Sequence, residues 1–482
     1  MSPFEGLKPA LLWKHFDRLR QIPRPSGQEK AAADYVLSVA KSLGLEAEQD
    51  AVGNVVVRKK ASPGHENAPT VVLQSHLDMV CEKNADKVFD FTRDPIQVRI
   101  KDGWLTADGT TLGADNGIGV AAMLAIFEDN TLIHGPLEGL FTVDEERGLV
   151  GARSIPKDAL KGRTLINLDS EDLGVFSIGC AGGRDSNLTL PIRRRKPSGE
   201  IGLDLQLSGL KGGHSGVDIH LGRGNAIKIL NRLLYQANQN WPFELVSLEG
   251  GDKHNAIPRE AFARIVIRKN DLEALKTWFA QAIDEIRREF YPAEDQIAFN
   301  LKTADEKGEA LIPEDQKTLT ALLFALPHGV LAMSRVIEKL VETSNNVAAV
   351  HTKADRIEIL CSSRSSNMNA LQATVDKIRA IGELAGAAVE QPTGYPGWQP
   401  NLDSPILKLA MSTFKQVTGK EARYEAIHAG LECGIIGERF PGMDMISIGP
   451  TIKYPHSPDE KVEIASVELF YQHVIKMLEA LA

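Results

Sequence analysis

Histidine and carboxylate residues stand at the ends of several predicted strands. Ligands of open α/β sheets collect outside the carboxyl ends of the strands, so these residues are expected to meet at one edge. Five places combine the two features: His76-Leu77-Asp78 after a strand predicted over 70–75, Asp115 at the start of a helix over 117–129, Asp144-Glu145-Glu146 after a strand over 140–143, Asp169 after a strand over 164–168, and His456 beyond a strand over 443–448.

The residue types at these five places are those that bind zinc. Two histidines and three carboxylates suit a pair of zinc ions, with one histidine for each ion and one bridging carboxylate. Two ions about 3.5–4 Å apart can activate a water molecule, and this chemistry needs a further, unligated carboxylate as general base. The pair Glu145-Glu146 offers both a base and a ligand. Asp78 lies two residues from His76 on extended chain, so it points the same way and is placed to hydrogen-bond the imidazole.

The elements that must position these residues alternate between helix and strand over the first 180 residues, which indicates an α/β sheet with helices on its faces. Ser26 and Glu29 have capping-box spacing and predict the start of a helix that runs to about Leu43. From about 182 to 398, two halves repeat the order strand, helix, strand, strand, helix, which predicts an inserted α+β domain of two βαββα units. The segment 391–400 is rich in proline and glycine, and the α/β pattern returns after it.

The economical architecture is an α/β catalytic domain with a mixed sheet and flanking helices, interrupted by this insertion. We place the first catalytic segment at 1–183, the inserted domain at 184–396 and the second catalytic segment at 397–482. The predicted metal ligands then come from both outer segments, because His456 follows the insertion and the other four precede it.

Composition excludes several classes of function. The chain has 482 residues, 43% of them hydrophobic, and a formal net charge of −9, whereas a protein that binds nucleic acid is expected to be basic. Four cysteines with no CxxC pair fit a reducing compartment. The N-terminus lacks the apolar stretch of a secretion signal, and the longest apolar run is shorter than the roughly 20 residues of a membrane span. We therefore expect a cytoplasmic protein that binds neither nucleic acid nor membrane.

Several stretches carry a resemblance to a known family: QSHLDMVCEKN at 74–84, TTLGADNG at 110–117, TVDEE at 142–146, INLDSE at 166–171, KGGHSG at 211–216, and the loop around His456. Through them the sequence closely resembles the aminoacyl-histidine dipeptidases, also called cytosolic non-specific dipeptidases. These belong to the co-catalytic zinc peptidases, a wider family that includes glutamate carboxypeptidases and aminoacylases. The resemblance covers nearly the whole chain.

The resemblance implies a role for each candidate residue. It divides five metal ligands between two zinc ions, for which Co²⁺ or Mn²⁺ are possible substitutes: His76 and Asp169 for one, Glu146 and His456 for the other, and Asp115 bridging them. Glu145 is implied to be the general base, which takes a proton from the water and passes it to the leaving amine. Asp78 is implied to orient His76.

The insertion corresponds, by the same resemblance, to the family's lid domain. Within it His214 looks like the residue that helps to stabilise the tetrahedral oxyanion, and Asn255 and Arg364 look like ligands for the peptide's carboxylate. An arginine can bind a carboxylate through two parallel hydrogen bonds, and a clamp on the C-terminus would select short peptides. The family's lid often mediates dimer formation, so we expect a homodimer. The alternative is that the duplicated lid supplies both halves within one chain.

The expected function is hydrolysis of unblocked L-dipeptides, including Xaa-His dipeptides, by a water molecule that two zinc ions activate, with Glu145 as general base. One alternative is a related amidohydrolase that acts on N-acyl amino acids or on a C-terminal residue; a requirement for a free N-terminal amine would separate the two. Another is a non-catalytic, metal-dependent peptide-binding protein. The presence of Glu145 beside Glu146 argues against it, because binding alone needs no base.

Overall fold

The computed structural model describes residues 3–482, and its first 180 residues form short strands and helices. The strand at 71–76 is buried at every residue, as expected for a strand whose two faces are covered. The elements of this part are α1 (Ala10–Leu19), α2 (Lys30–Ser42), β1 (Glu46–Gln49), β2 (Val55–Lys59), β3 (Val71–His76), β4 (Val98–Lys101), β5 (Trp104–Ala107), α3 (Ala114–Glu128), β6 (Leu137–Thr142), α4 (Val150–Ser154), β7 (Thr164–Asn167) and β8 (Val175–Cys180).

Residues 181–397 form mainly antiparallel strands and four helices. The first long helix of this part begins at 226, because Gly222 has left-handed backbone (φ 68°) and ends a separate 3₁₀ turn before it. The elements are β9 (Gly182–Pro191), β10 (Arg194–Arg195), β11 (Ile201–Ser208), β12 (Gly213–His214), α5 (Ala226–Ala237), β13 (Glu244–Gly250), β14 (Ala256–Ile257), β15 (Ala261–Ile267), α6 (Leu272–Phe290), β16 (Ala298–Thr303), β17 (Ala310–Leu311), α7 (Pro313–Ala325), β18 (Gly329–Met333), β19 (Val341–Thr352), β20 (Arg356–Ser365), α8 (Met368–Leu384) and β21 (Ala388–Glu390).

The α/β pattern returns after residue 398. Ser404 caps the first helix of this part, since its side chain accepts a hydrogen bond from the Leu407 N–H, and proline occupies the first turn. Within residues 3–482, no helix is both long enough and apolar enough to cross a membrane. The remaining elements are α9 (Pro405–Thr418), β22 (Arg423–Ile427), α10 (Glu432–Arg439), β23 (Asp444–Ser447), β24 (Ile452–Lys453), β25 (Lys461–Glu463) and α11 (Ile464–Leu481).

These elements are distributed over two compact units. The first unit joins the residues up to Cys180 with Trp398–Ala426 and Leu431–Ala482. The second unit consists of Ala181–Gly397 and the short stretch Ile427–Gly430. The first unit is therefore built from three separate pieces of chain, and the second from two.

The first unit contains an eight-stranded mixed sheet in the order β1-β2-β6-β3-β7-β23-β8-β22. Strand β3 pairs in parallel with β6 and β7, and β7 pairs in parallel with β23. The edge strand β1 pairs antiparallel with β2, and β2 pairs antiparallel with β6. The predicted fold class, an α/β fold with a mixed sheet and flanking helices, is confirmed. The four parallel strands end at the same edge, which is where the candidate ligands follow.

The second unit is built on a nine-stranded sheet whose main order is β16-β11-β15-β13-β19-β20-β9-β21, with β18 beside β19. Strand β11 alternates, and its leucines at 203, 205 and 207 join the same buried core as Leu230 and Leu234 of α5. Full burial of one such side chain stabilises the fold by about 1.5–3 kcal/mol. The two predicted halves run β11-α5-β13-β15-α6 and β16-α7-β19-β20-α8, with β18 as an extra strand in the second.

His473 of α11 is a buried titratable group in the first unit, 1% exposed. Its ring stacks on Phe176 with 5.4 Å between ring centroids, and its Nε2 lies 3.0 Å from the Ala410 carbonyl oxygen of α9. Burial lowers the pKa of His473 to about 4.

We expect His473 to make the free energy of unfolding depend on pH. The unfolded chain binds this proton below a pKa of about 6.5, whereas the folded chain resists it down to about 4. The stability from the neutral ring is thus fully present above pH 6.5 and is lost as the pH falls towards 4. His473→Gln keeps a hydrogen-bond donor that does not titrate. Urea titrations should therefore show that the free energy of unfolding falls from pH 7 to pH 5 by about 2 kcal/mol less in this variant than in the wild type. Equal losses in both proteins would contradict this.

Candidate metal centre and active site

The predicted ligands lie where elements of the first unit end. Side chains that follow the carboxyl ends of strands lie outside the edge of the sheet, where ligands bind. In this structure the five ligands are placed as follows: His76 is the last residue of β3, Asp115 lies in the first turn of α3, Glu146 lies in the turn after β6, Asp169 lies just after β7, and His456 lies in the loop between β24 and β25.

Three of these residues meet at the His76 imidazole, which is 1% exposed. Its Nε2 lies 3.1 Å from Oδ1 of Asp115 and 3.3 Å from Oδ1 of Asp169. One ligand atom of each residue lies within 4.8 Å of the others. His76, Asp115 and Asp169 therefore form a first triad of one nitrogen and two oxygen donors.

A second triad forms around His456. Its Nε2 lies 3.2 Å from Oδ2 of Asp115 and 3.2 Å from Oε2 of Glu146. Asp115 thus presents Oδ1 to the first triad and Oδ2 to the second. A carboxylate divided in this way is the arrangement expected of a ligand that bridges two cations.

The donor atoms fit two divalent cations. Imidazole nitrogen and carboxylate oxygen are donors that zinc and related metals prefer. Among residues 3–482, Oε1 of Glu146 and Oδ1 of Asp169 are buried side-chain atoms with no hydrogen-bond partner. A buried carboxylate oxygen without a donor costs free energy, and a bound cation would neutralise it.

The electrostatics of the two triads report a strong excess of negative charge. Hydrogen bonds to Asp115 and Glu146 raise the pKa of His456 to about 11. Burial, with the charges of Asp115 and Glu146, raises the pKa of Asp169 to about 6. Cations bound between these side chains would counteract both shifts, because their positive charge would lower the pKa of His456 and of Asp169.

Asp78 connects the first triad to the turn after β6. Its Oδ1 lies 3.3 Å from Nδ1 of His76 and accepts the Glu145 backbone N–H at 3.1 Å, while Oδ2 accepts the Glu146 N–H at 3.2 Å. Burial alone would raise the pKa of Asp78, but the His76 contact and these hydrogen bonds hold it well below its ordinary value. The ionised Asp78 thus turns Nε2 of His76 towards the other ligands and fixes the Glu145-Glu146 turn.

Glu145 lies beside the predicted ligands but does not face the same partner as Glu146. Atoms of His76, Glu145 and Glu146 lie within 4.8 Å of one another, but it is Glu146 that faces His456. Burial raises the pKa of Glu145 well above its ordinary value, and the charge of Asp169 adds to the effect. A carboxylate with raised proton affinity at this position is suited to accept a proton.

His214, in β12 of the second unit, has a defined protonation state. Its Nδ1 accepts backbone N–H groups from Gly216 at 3.1 Å and Val217 at 3.0 Å, so the proton of the neutral ring must be on Nε2. Burial, followed by the charge of Arg364, lowers the pKa of His214 and keeps the ring neutral. His214 therefore presents an N–H donor.

Arg364 of β20 lies in the same part of the second unit. It is 6% exposed and donates from Nη1 to the Tyr395 hydroxyl at 2.7 Å, while its Nε has no hydrogen-bond partner among residues 3–482. Asn255 is exposed, and its carbonyl accepts the Ser215 N–H at 2.8 Å beside His214. A buried guanidinium with a free donor is suited to an anionic group.

The capping box predicted at Ser26 and Glu29 is wrong. Helix α2 begins at Lys30 with no side-chain cap. Ser26 instead donates to Oδ2 of Asp78 at 2.8 Å, and Glu29 accepts the backbone N–H of Asp144 at 3.0 Å. The Ser26 hydroxyl forms a charge-assisted hydrogen bond with a buried carboxylate, and Glu29 accepts from a loop rather than from its own helix, so both residues hold loops of the site in place.

A hydrogen-bonded network of buried polar side chains was not predicted from the sequence. Nε2 of Gln74 donates to Glu432 at 2.6 Å, Thr142 donates to the same oxygen at 2.8 Å, and Asn167 donates to Oε1 of Gln74. Gln74 and Asn167 each stand two residues before a ligand and so share its face of the strand. Their signal in the sequence was a polar residue inside an apolar strand.

Two donor triads that share one carboxylate, at the carboxyl edge of a mixed α/β sheet, are typical of metal-dependent hydrolases. The chain belongs to peptidase family M20/M25/M40, whose family model matches residues 72–480, and it is a metallopeptidase of that family. The chain is 44% identical to the "Cytosol non-specific dipeptidase" of Escherichia coli over 99% of both chains. The resemblance seen in the sequence is confirmed.

Solved structures agree with this assignment. The aminoacylhistidine dipeptidase of Vibrio alginolyticus matches with a TM-score of 0.93 and 43% identity, over 100% of this chain and 99% of that one. The aminopeptidase PepT of Bacillus cereus matches with a TM-score of 0.59 and 17% identity, over 98% of this chain and 99% of that one. The second likeness shows the fold alone.

The shared carboxylate predicts which ligand variants lose which ion. Glu146→Gln replaces a carboxylate by a weaker neutral donor in the His456 triad only, so about one of two divalent ions should remain bound after dialysis. Asp115→Asn should lower the occupancy of both ions, because both triads use it. Metal per chain, measured by elemental analysis, distinguishes the two. Loss of both ions in Glu146→Gln would contradict the division into triads.

Proposed function

We propose that this chain hydrolyses the peptide bond of unblocked L-dipeptides, including Xaa-His dipeptides. The observation that carries the proposal is Asp115, whose two oxygens face separate histidine triads beside a carboxylate, Glu145, with raised proton affinity. The names of the two relatives that match across the whole chain support a dipeptide as substrate.

We propose two zinc ions as the cofactor, with Co²⁺ or Mn²⁺ as possible substitutes. His76 and Asp169 would hold one, Glu146 and His456 the other, and Asp115 both. When bound, the pair would polarise the substrate carbonyl and make a water molecule more acidic. The donor set of two imidazoles and three carboxylates supports zinc.

Glu145 moves the proton in this proposal. Its carboxylate accepts a proton from the attacking water and donates it to the nitrogen of the leaving amine. Asp78 keeps the residue in place, because it accepts the Glu145 backbone N–H at 3.1 Å. The position of Glu145 supports this role, because its carboxylate lies within 4.8 Å of the ligand atoms of His76 and Glu146.

Residues of the second unit, the proposed lid, bind the substrate. His214 donates its Nε2–H to the oxygen that becomes negative in the tetrahedral transition state, a contribution typical of oxyanion donors. Arg364 and Asn255 bind the C-terminal carboxylate of the peptide. The buried, unpartnered Nε of Arg364 supports this role, and a fixed carboxylate clamp explains a preference for short peptides.

We also propose a cytoplasmic location and a homodimer. The word "Cytosol" in the name of the Escherichia coli relative supports the location. All four cysteines are free in the structure, which fits a reducing compartment. The dimer rests on the family's lid and is tested by the mass of the protein in solution.

The proposed function predicts a defined substrate panel. The protein should cleave a free dipeptide, lose that activity with a chelator and regain it with zinc, and cleave the N-acetylated dipeptide poorly. Glu145→Gln removes the proton acceptor at nearly constant size and should lower kcat by about 10²–10⁴-fold while metal content stays unchanged. Preference for the N-acetylated substrate would favour an N-acyl amidohydrolase. Full activity in Glu145→Gln would remove this residue from the mechanism.

Arg364→Ala should weaken binding of free dipeptides by about 2–5 kcal/mol, the cost of removing one partner of a buried charge pair. The same change should affect a C-amidated dipeptide far less, because that substrate has no carboxylate. Arg356→Ala is the matched control: it lies on the same strand, but its side chain is 44% exposed and pairs with Asp355 and Glu358. Equal losses on both substrates would mean that Arg364 does not bind the carboxylate.

A further inference from the structure

Glu460 is a buried carboxylate that the proposed chemistry does not use. It is 2% exposed. Its two oxygens accept four consecutive backbone N–H groups: those of Leu112 at 2.7 Å, Gly113 at 3.0 Å, Ala114 at 2.8 Å and Asp115 at 3.3 Å. One side chain thus satisfies the whole backbone run that ends at the shared ligand.

Glu460 belongs to the loop that carries His456. Its backbone N–H donates to the Ser457 carbonyl at 3.0 Å, which closes a turn directly after the histidine. The next residues form β25, which pairs with β5 through Lys461 and Thr106. The loop of one ligand is therefore bonded to the backbone of another, although 341 residues separate His456 from Asp115.

Arg24 binds the same segment by its carbonyl groups. It is also 2% exposed, and its guanidinium donates to the Gly113 carbonyl, to the Leu77 carbonyl at 3.0 Å and to the Asp78 carbonyl at 2.8 Å. Leu77 and Asp78 directly follow His76. Arg24 therefore joins the His76 segment to the Asp115 segment, as Glu460 joins the His456 segment to it.

Helix capping explains only part of this arrangement. A carboxylate at the start of α3 would stabilise the helix, but two of the four N–H groups precede the helix, which begins at Ala114. Gly113 has left-handed backbone (φ 68°), and a Cβ there would lie 2.5 Å from Nη2 of Arg24. The two charged side chains thus fix a segment whose conformation a helix cap alone does not determine.

We propose that Glu460 and Arg24 are positioning residues that hold Asp115 between the His76 and His456 segments, so that each of its oxygens faces its own triad. This inference rests on the proposed metal pair. Because Asp115 belongs to both triads, its displacement weakens the binding of both ions together. Loss of an outer ligand such as Glu146 weakens only one.

The test is the affinity of Glu460→Gln for zinc, measured by equilibrium dialysis against buffered zinc and by the absorption spectrum of the Co²⁺ form. The amide keeps the size of the side chain but points an NH₂ group at backbone donors, so part of the four-bond set is lost. Both ions should bind about 10–100-fold more weakly, the effect of removing an outer-sphere partner of a ligand. Glu460→Asp, which keeps the charge, should recover part of the affinity.

Glu463→Gln is the matched control, since it changes a carboxylate three residues along the chain that is half-buried and does not bond the 112–115 backbone in the described structure. It should bind zinc as the wild type does. Arg24→Lys keeps the charge but loses the planar set of guanidinium donors, and it should also weaken the binding of both ions.

Two results would overturn the inference: zinc affinity unchanged in Glu460→Gln with only the melting temperature of the metal-free protein lowered, or loss confined to the ion of the His456 triad. If Glu460→Gln does not fold, Glu460→Asp replaces it, with joint weakening of both ions as the supporting result and unchanged affinity as the contrary one. A wild-type protein that binds no metal pair would instead contradict the proposed function.

Discussion

The division of one carboxylate between two imidazoles is the interaction on which the site depends. Oδ1 of Asp115 lies 3.1 Å from His76 and Oδ2 lies 3.2 Å from His456, so a shift of this side chain disturbs both triads at once. His76 is held by a strand that is buried and paired on both sides. Asp115 follows a loop instead. Its position must therefore come from side chains that bond its backbone from other parts of the chain.

The same edge of the sheet concentrates buried carboxylates, which repel one another. Two of them have fixed donors: Asp78 accepts backbone N–H groups and faces His76, and Glu432 accepts from Gln74 and Thr142. Among residues 3–482, buried carboxylate oxygens without a donor belong to the predicted ligands Glu146 and Asp169 and to Glu432.

Much of this arrangement was predictable from the sequence, because residues that follow parallel strands must meet at one edge and because periodicity distinguishes strands from helices. The predictions failed where a partner is distant in the chain. Ser26 and Glu29 have the spacing of a cap, yet Asp78 and the Asp144 backbone take their hydrogen bonds. The four bonds of Glu460 go to backbone N–H groups, which nearly every residue carries, so no residue pattern marks them.

The discontinuous first unit has a consequence for biosynthesis. A ribosome adds about 5–20 residues per second, and 341 residues separate Asp115 from His456, so roughly 20–70 s pass between the two. Once Asp169 has been added, the nascent chain has all three residues of the first triad but only Asp115 and Glu146 of the second. A hydrolase with this order of segments therefore acquires its second triad only after His456 has been added. The order of the segments therefore determines when during synthesis the centre becomes complete.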